Sequence, residues 1–241
     1  IMPHLKCEKK MITSHYPYLE NPEPQYVFLY DLLKRSESHV VSLSDRIKKE
    51  FVARGIDSTN VSVLPCGIDT DLYTLDETDV LYPDRSIVVG KIEPRKRQAF
   101  LQHKDLNIDF IGNNTDSSFD ELDPHYLGEQ SKQDIMENLT AYASMVLLSS
   151  GEAHPFVCLE GMAAGLGLVL SEQSTANLDI SQPFITVIPD DKLDDTTYLN
   201  QKIKENRKIS LTMRKDIRQY CLDNFDWSSI IKQYKSIIDN I

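Results

Sequence analysis

Positive charge is what this sequence has too little of: 26 lysines and arginines stand against 37 aspartates and glutamates in 241 residues, a net charge of −11. A nucleic-acid surface needs a broad excess of Lys and Arg, so that class of partner is excluded, while a small anion could still bind locally. Paired cysteines are missing too. Cys7, Cys66, Cys158 and Cys221 lie far apart with no C-x-x-C, which argues against a zinc site or redox pair and for the reduced thiols of a cytoplasmic protein. The longest Gly-plus-apolar run, "GMAAGLGLVL" at 161–170, is about half a bilayer span, and no charged-then-apolar secretion signal opens the chain. The N-x-S/T matches at Asn60, Asn113 and Asn138 are therefore read as chance. Paired aspartates of the D-x-D metal kind occur only as "DTD" at 69–71. No internal repeat or low-complexity tract interrupts the chain.

What is present is an ordinary globular composition, 41% apolar and 26% charged, with enough material for a sizeable core. Short β-branched or apolar runs alternate with helical patterns throughout, the α/β signature. Strands are expected in "KMITSH" (10–15), "HVVSLS" (39–44), "VSVLP" (61–65), "SIVVG" (86–90), "IDFIG" (108–112), "SMVLLSS" (144–150), "LGLVLS" (166–171) and "FITVI" (184–188). They are continuous rather than alternating runs, which predicts parallel strands covered on both faces. In "SDRIKKEFVARG" (44–55) Ser44 can cap a helix, Ile47, Phe51 and Val52 repeat along it and Gly55 stops it. The polar, Pro-containing "DETDVLYPDR" (76–85) marks a domain boundary, with a new strand from Ser86. The division expected is 1–80, 81–226 and a C-terminal packing helix at 227–241, whose apolar stripe is 230, 231, 234, 237 and 238. Because the chain opens Ile1-Met2 within domain-like sequence, an N-terminal part is expected to precede it.

The chemistry concentrates in "SSGEAHPFVCLEGMAAGLGLVLSE" (149–172), where Glu152 and Glu160 stand eight positions apart. The strand before them ends at the carboxyl edge of a parallel sheet, where α/β proteins bind ligands. Pro155 suits a first helical turn, so a short helix from about Pro155 to Gly165 points its N-terminus into the same crevice, and free amides there attract phosphate. Glu160, two turns in, lies beside that phosphate. The glycines and alanines that follow permit close backbone approach. Carboxylates accept hydrogen bonds from sugar hydroxyls, so a nucleotide-sugar satisfies all of these features at once. "KIEPRKR" (91–97) carries Lys91, Arg95, Lys96 and Arg97 against Glu93, a local +3 directly after a buried strand. By pattern alone the run also reads as a solvated face, and the glutamates as a helix-capping pair.

These segments together resemble the retaining, GT-B-fold glycosyltransferases of family 4 over nearly the whole chain. The glutamates match its Glu-x7-Glu motif. "VVSLSDRIKKEF" and "VSVLPCGIDTDLY" are similar to the end of its first domain, with the pattern I-P-N-G-I-D-x-x-x-F. "VVGKIEPRKRQ" resembles the V-G-R-x-x-x-x-K-G segment that opens its second domain. "YLGEQSKQDIMENLTAYASMVLLSS" resembles the stretch holding the nucleoside-binding loop. The resemblance implies two Rossmann-like domains with parallel sheets. The first is incomplete here, since 1–80 holds about three strands where about five or six are usual. It further implies that Lys91 and Lys96 contact the donor diphosphate, Glu160 the ribose and Glu152 the transferred sugar. Phe156, Val157, Tyr126 and Leu127 join the donor contacts, and His15, ending "KMITSH", faces the sugar or is structural. The activity implied is a metal-independent, retaining hexosyl transfer without cofactor. GDP-mannose is the first donor expected and UDP-sugars next, the acceptor being a glycan, lipid or protein-linked group; a homodimer stays open.

The sequence departs from that pattern in places. Lys91 replaces the commoner arginine, keeping the charge but not the two-pronged geometry. Pro155 and Phe156 stand where a Phe-Gly pair is frequent, and a proline donates no backbone hydrogen bond. His154 can substitute as a donor to the sugar, or be solvated on its loop. Cys66 stands in place of Asn or His and is read as packing. A nucleotide-sugar epimerase, a phosphorylase-like enzyme of the same fold and a non-catalytic nucleotide-binding module remain as other readings.

Overall fold

The computed structural model describes residues 9–15, 24–36, 38–78 and 80–241. Cys7 and the first residues of the chain lie outside them. All eight expected strands form: β1 (Met11–Ser14), β2 (His39–Ser42), β3 (Val61–Val63), β4 (Tyr82–Val89), β5 (Ile108–Ile111), β6 (Tyr142–Leu147), β7 (Gly167–Ser171) and β8 (Ile185–Ile188). Every pairing among them is parallel. Among the described residues no helix is long and apolar enough to cross a membrane.

The chain forms two compact units, Ile1–Gly67 with Trp227–Ile241, and Ile68–Asp226. In the first, β1, β2 and β3 lie side by side in that order. The helix α1 (Pro24–Arg35) precedes β2, and α2 (Asp45–Ala53) follows it. Ser44 caps α2 by accepting from the Ile47 amide, Ile47 and Phe51 are buried, and Gly55 ends it with φ 87°. Val41 and Leu64 pack with Ile230 of the last helix, called α8 below (Trp227–Asn240). Its buried stripe is narrower than the pattern predicts: Tyr234 and Ile237 join Ile230, while Ile231 and Ile238 stay 58% and 42% exposed. The last two are seven residues apart and share a face turned from Val41 and Leu64.

The second unit holds a five-stranded sheet in the order β5-β4-β6-β7-β8. Side chains alternate between its faces, as a strand's twofold period requires. Ile87, Met145 and Leu168 face α5 (Phe156–Ala163) and α7 (Arg214–Phe225), whereas Val88, Val146 and Val169 face α3 (Gln98–Gln102) and α6 (Thr196–Thr212). Both faces are thus covered. The order reverses between β4 and β6, and in doubly wound sheets a crevice opens outside the carboxyl ends of the strands at that point.

Two boundaries differ from the sequence reading. Strand β4 begins at Tyr82, four residues early, because Tyr82 pairs with Tyr142 across an irregularity before Ser86. The units divide after Gly67 rather than at 80. Residues 68–78 pack onto the second unit: Tyr73 is buried in its core, Arg218 donates to the carbonyls of Thr70 and Tyr73, and Arg214 donates to that of Asp76.

Candidate functional site

Where β4 ends, Gly90 adopts φ 132°, and beside it Gly112, after β5, adopts φ 149°. A Cβ on Gly112 would overlap the Gly90 carbonyl, so the two strand exits touch backbone to backbone and only glycine fits. The Lys96 amine lies directly over Gly90, 2.8 Å from where a Cβ would stand. Lys91 is exposed beyond it. A cavity of about 290 Å³ opens at these exits, lined by Gly90, Lys91, Gly112, Asn113, Glu129 and Gln130 among others. Larger cavities, of about 550 and 410 Å³, lie one in each unit at the amino ends of the strands, where parallel sheets do not place ligands.

Arg95 ties the exit of β4 to the exit of β6. Its carbonyl accepts from the Ser150 amide at 2.8 Å. Its Nη1 donates to Ser149 Oγ at 2.9 Å, to the Gly151 carbonyl and to Glu152 Oε1 at 3.0 Å, and its Nη2 to Glu93 Oε1 at 2.7 Å. Sequence reading ranked Arg95 below the lysines, and the structure makes it the direct partner of Glu152. Arg97 has φ 58°, a left-handed residue at the place of the glycine in V-G-R-x-x-x-x-K-G, and its Nη1 donates to the Leu148 carbonyl at 3.3 Å.

Helix α5 carries the second carboxylate. Glu160 Oε1 accepts from the Tyr73 hydroxyl at 2.8 Å. Burial pushes the Glu160 carboxyl above the usual range, opposed by the Tyr73 hydrogen bond and the Lys132 ammonium. In the first turn, the buried Cys158 thiol is pushed up by burial and by Glu152 and Glu160, while Lys96 pulls it back. Lys96, Glu152 and Glu160 thus all act electrostatically on the Cys158 thiol. The helix's first turn is less open than expected: the Phe156 amide donates to the His154 carbonyl at 2.8 Å and that of Cys158 to Pro155 at 2.9 Å. Among the described residues the Val157 amide makes no backbone hydrogen bond outside the helix.

The remaining candidates fall elsewhere. His154 is buried rather than solvated, with Asn177 Nδ2 3.0 Å from its Nδ1 and the Phe225 ring beside it. Phe156 is 39% exposed at the helix start. Tyr126 donates its hydroxyl to the Gly112 carbonyl at 2.9 Å, and the Leu127 amide pairs with Phe110, so these two brace β5 while Glu129 and Gln130 line the cavity. In the other unit His15 is exposed at the end of β1, with Nδ1 3.7 Å from Cys66 Sγ. Burial raises the Cys66 thiol, as its packing role implies.

No protein-family model matches the chain, and no curated protein matches it. Solved structures do. HepE of Anabaena, in complex with UDP-glucose, superposes with a TM-score of 0.75 over 97% of this chain and 72% of its own, at 17% identity. Sucrose-phosphate synthase of Thermosynechococcus elongatus gives 0.72 over 95% and 67%, at 15% identity. The pneumococcal O-GlcNAc transferase GtfA, in complex with UDP and GlcNAc, gives 0.72 over 96% and 52%, at 16% identity. The fold is therefore the GT-B type of glycosyltransferases, built from parallel α/β units.

Proposed function

We propose that this chain is a glycosyltransferase that binds a nucleoside-diphosphate hexose at the carboxyl ends of β4 and β6. The observation that carries the reading is that Lys96 lies over Gly90 at the exit of β4 and Arg95 joins Glu152 to the same edge at the sheet's switch point, with Glu160 on α5 next in the chain. In this reading Lys96 and Lys91, with the Val157 amide, hold the diphosphate, Glu160 the ribose and Glu152 the hexose. Charge accumulates on the leaving diphosphate in the transition state, and preplaced cations stabilise it there without a metal ion. Attack from the face of departure gives retention, so Glu152 orients the sugar and forms no bond to it. HepE holds UDP-glucose and GtfA holds UDP and GlcNAc, which puts uridine donors ahead of GDP-mannose in the order of testing.

Titration calorimetry with UDP, UDP-glucose, UDP-N-acetylglucosamine and GDP-mannose tests the reading. UDP is expected to bind equally well in EDTA and in Mg²⁺, and a large loss on chelation would defeat the metal-free mechanism. Lys96→Ala is expected to weaken UDP by about 1.5–3 kcal/mol, the range of a charged hydrogen bond. Arg97→Ala should change it little, because its guanidinium turns to Leu148. Equal losses at the two positions would indicate a diffuse basic patch.

A further inference from the structure

Glu160 has two oxygens, and the chain itself occupies one. Tyr73 is 3% exposed, and its hydroxyl reaches Glu160 Oε1 at 2.8 Å. It stands where the pattern I-P-N-G-I-D-x-x-x-F has phenylalanine. A phenylalanine would fill the same space and leave Glu160 without this donor. The tyrosine is fixed from its backbone, since Arg218 donates to the carbonyls of Thr70, Tyr73 and Ala163, binding the Tyr73 segment to the end of α5.

We propose that Tyr73 is the positioning residue for Glu160: its hydroxyl anchors Oε1 and leaves Oε2 as the acceptor for a ligand hydroxyl. The proposal rests on the reading of Glu160 as a donor-site residue. Burial and the neighbouring Glu160 hold the Tyr73 phenol firmly protonated, so it is the donor of the pair. A protonated Glu160 would lose acceptor capacity, and burial favours that form. Tyr73 opposes it from the 68–78 segment and Lys132 from the start of α4 (Lys132–Asn138). The other titratable groups nearby are Asp69 beside Tyr73, the buried Cys158 on α5 itself, and Cys221 and Arg218 on α7, the last two turned to carbonyls of α5. Ligand acceptance by Glu160 is therefore present at high pH and fades as pH falls through its raised pKa. Without the Tyr73 hydroxyl it fades at a higher pH.

Tyr73→Phe keeps the ring and tests this in two ways. In protein carrying ¹³C-carboxyl glutamate, the Glu160 titration followed by NMR should move to higher pH in the variant; an unmoved midpoint overturns the proposal. UDP affinity should fall in the variant at pH 8, where Oε1 loses its anchor, and fall by about tenfold more at pH 5.5, the scale of a hydrogen bond to a charged group. An equal loss at both pH values would make Tyr73 a packing residue and overturn the proposal alone. A wild-type chain that binds no nucleotide at either pH overturns the donor-site reading and the proposal with it.

Discussion

Replacing Glu152 by glutamine is expected to lower kcat by roughly 30- to 1000-fold, about 2–4 kcal/mol, with affinity for bare UDP nearly unchanged. The carboxylate is assigned to the hexose, which bare UDP lacks, so only donor binding or turnover can register its loss. Positive charge develops on the sugar as the diphosphate leaves, and an anion beside it stabilises that state more than the ground state. Arg95 makes the substitution more severe. Its guanidinium holds Oε1 at 3.0 Å, and in the variant one of the two carboxylates that balance that cation is gone, leaving Glu93. A group that acts only in the transition state lowers kcat and kcat/KM together, so steady-state rates with UDP-glucose, beside UDP titrations, separate the roles. Glu160→Gln should weaken UDP and donor alike, because both contain the ribose. Parallel losses of UDP affinity in the two variants would make both residues nucleotide ligands or structural caps, and would remove the hexose-facing role of Glu152.

The strands were legible because a parallel sheet buried on both faces leaves continuous apolar runs, such as Ile87–Val89 and Val146–Leu148, with no polar alternation. The position of the glutamates after β6 followed from chain order and the rule for carboxyl edges. What could not be read was set by pairings between distant residues. Arg95 meets Glu152 57 positions on, and Tyr73 meets Glu160 87 positions on. Nothing in "PRK" or "DLY" marks either partner locally. His154 illustrates the same limit, since a loop histidine is buried here only because Asn177 and Phe225 come to cover it. The boundary near 80 was misplaced for a related reason: residues 76–85 have linker composition, but Arg214 and Arg218 gather the preceding segment onto the second unit.

That gathering predicts the largest effect on stability. Arg214→Met is expected to destabilise the second unit by about 3–5 kcal/mol. Arg214 is 2% exposed and donates to the carbonyls of Asp76 (2.6 Å), Thr140 (2.7 Å), Tyr142 (3.0 Å) and Ala164 (3.1 Å), and to Thr140 Oγ1 (2.8 Å). Methionine retains much of the apolar stem, so the loss falls on the polar atoms. Each buried carbonyl left without a donor costs about 1–3 kcal/mol, and removal of the desolvated guanidinium returns part of the sum. The sole tryptophan, Trp227, reports on the other unit, so the measurement is native-state hydrogen exchange at the amides of β6 and β7. A loss below about 1 kcal/mol there would mean that water reaches these carbonyls when the side chain is gone. The 68–78 segment would then lose its Arg214 bond at Asp76, and Tyr73 would reach Glu160 from a looser support than Arg214 now gives it.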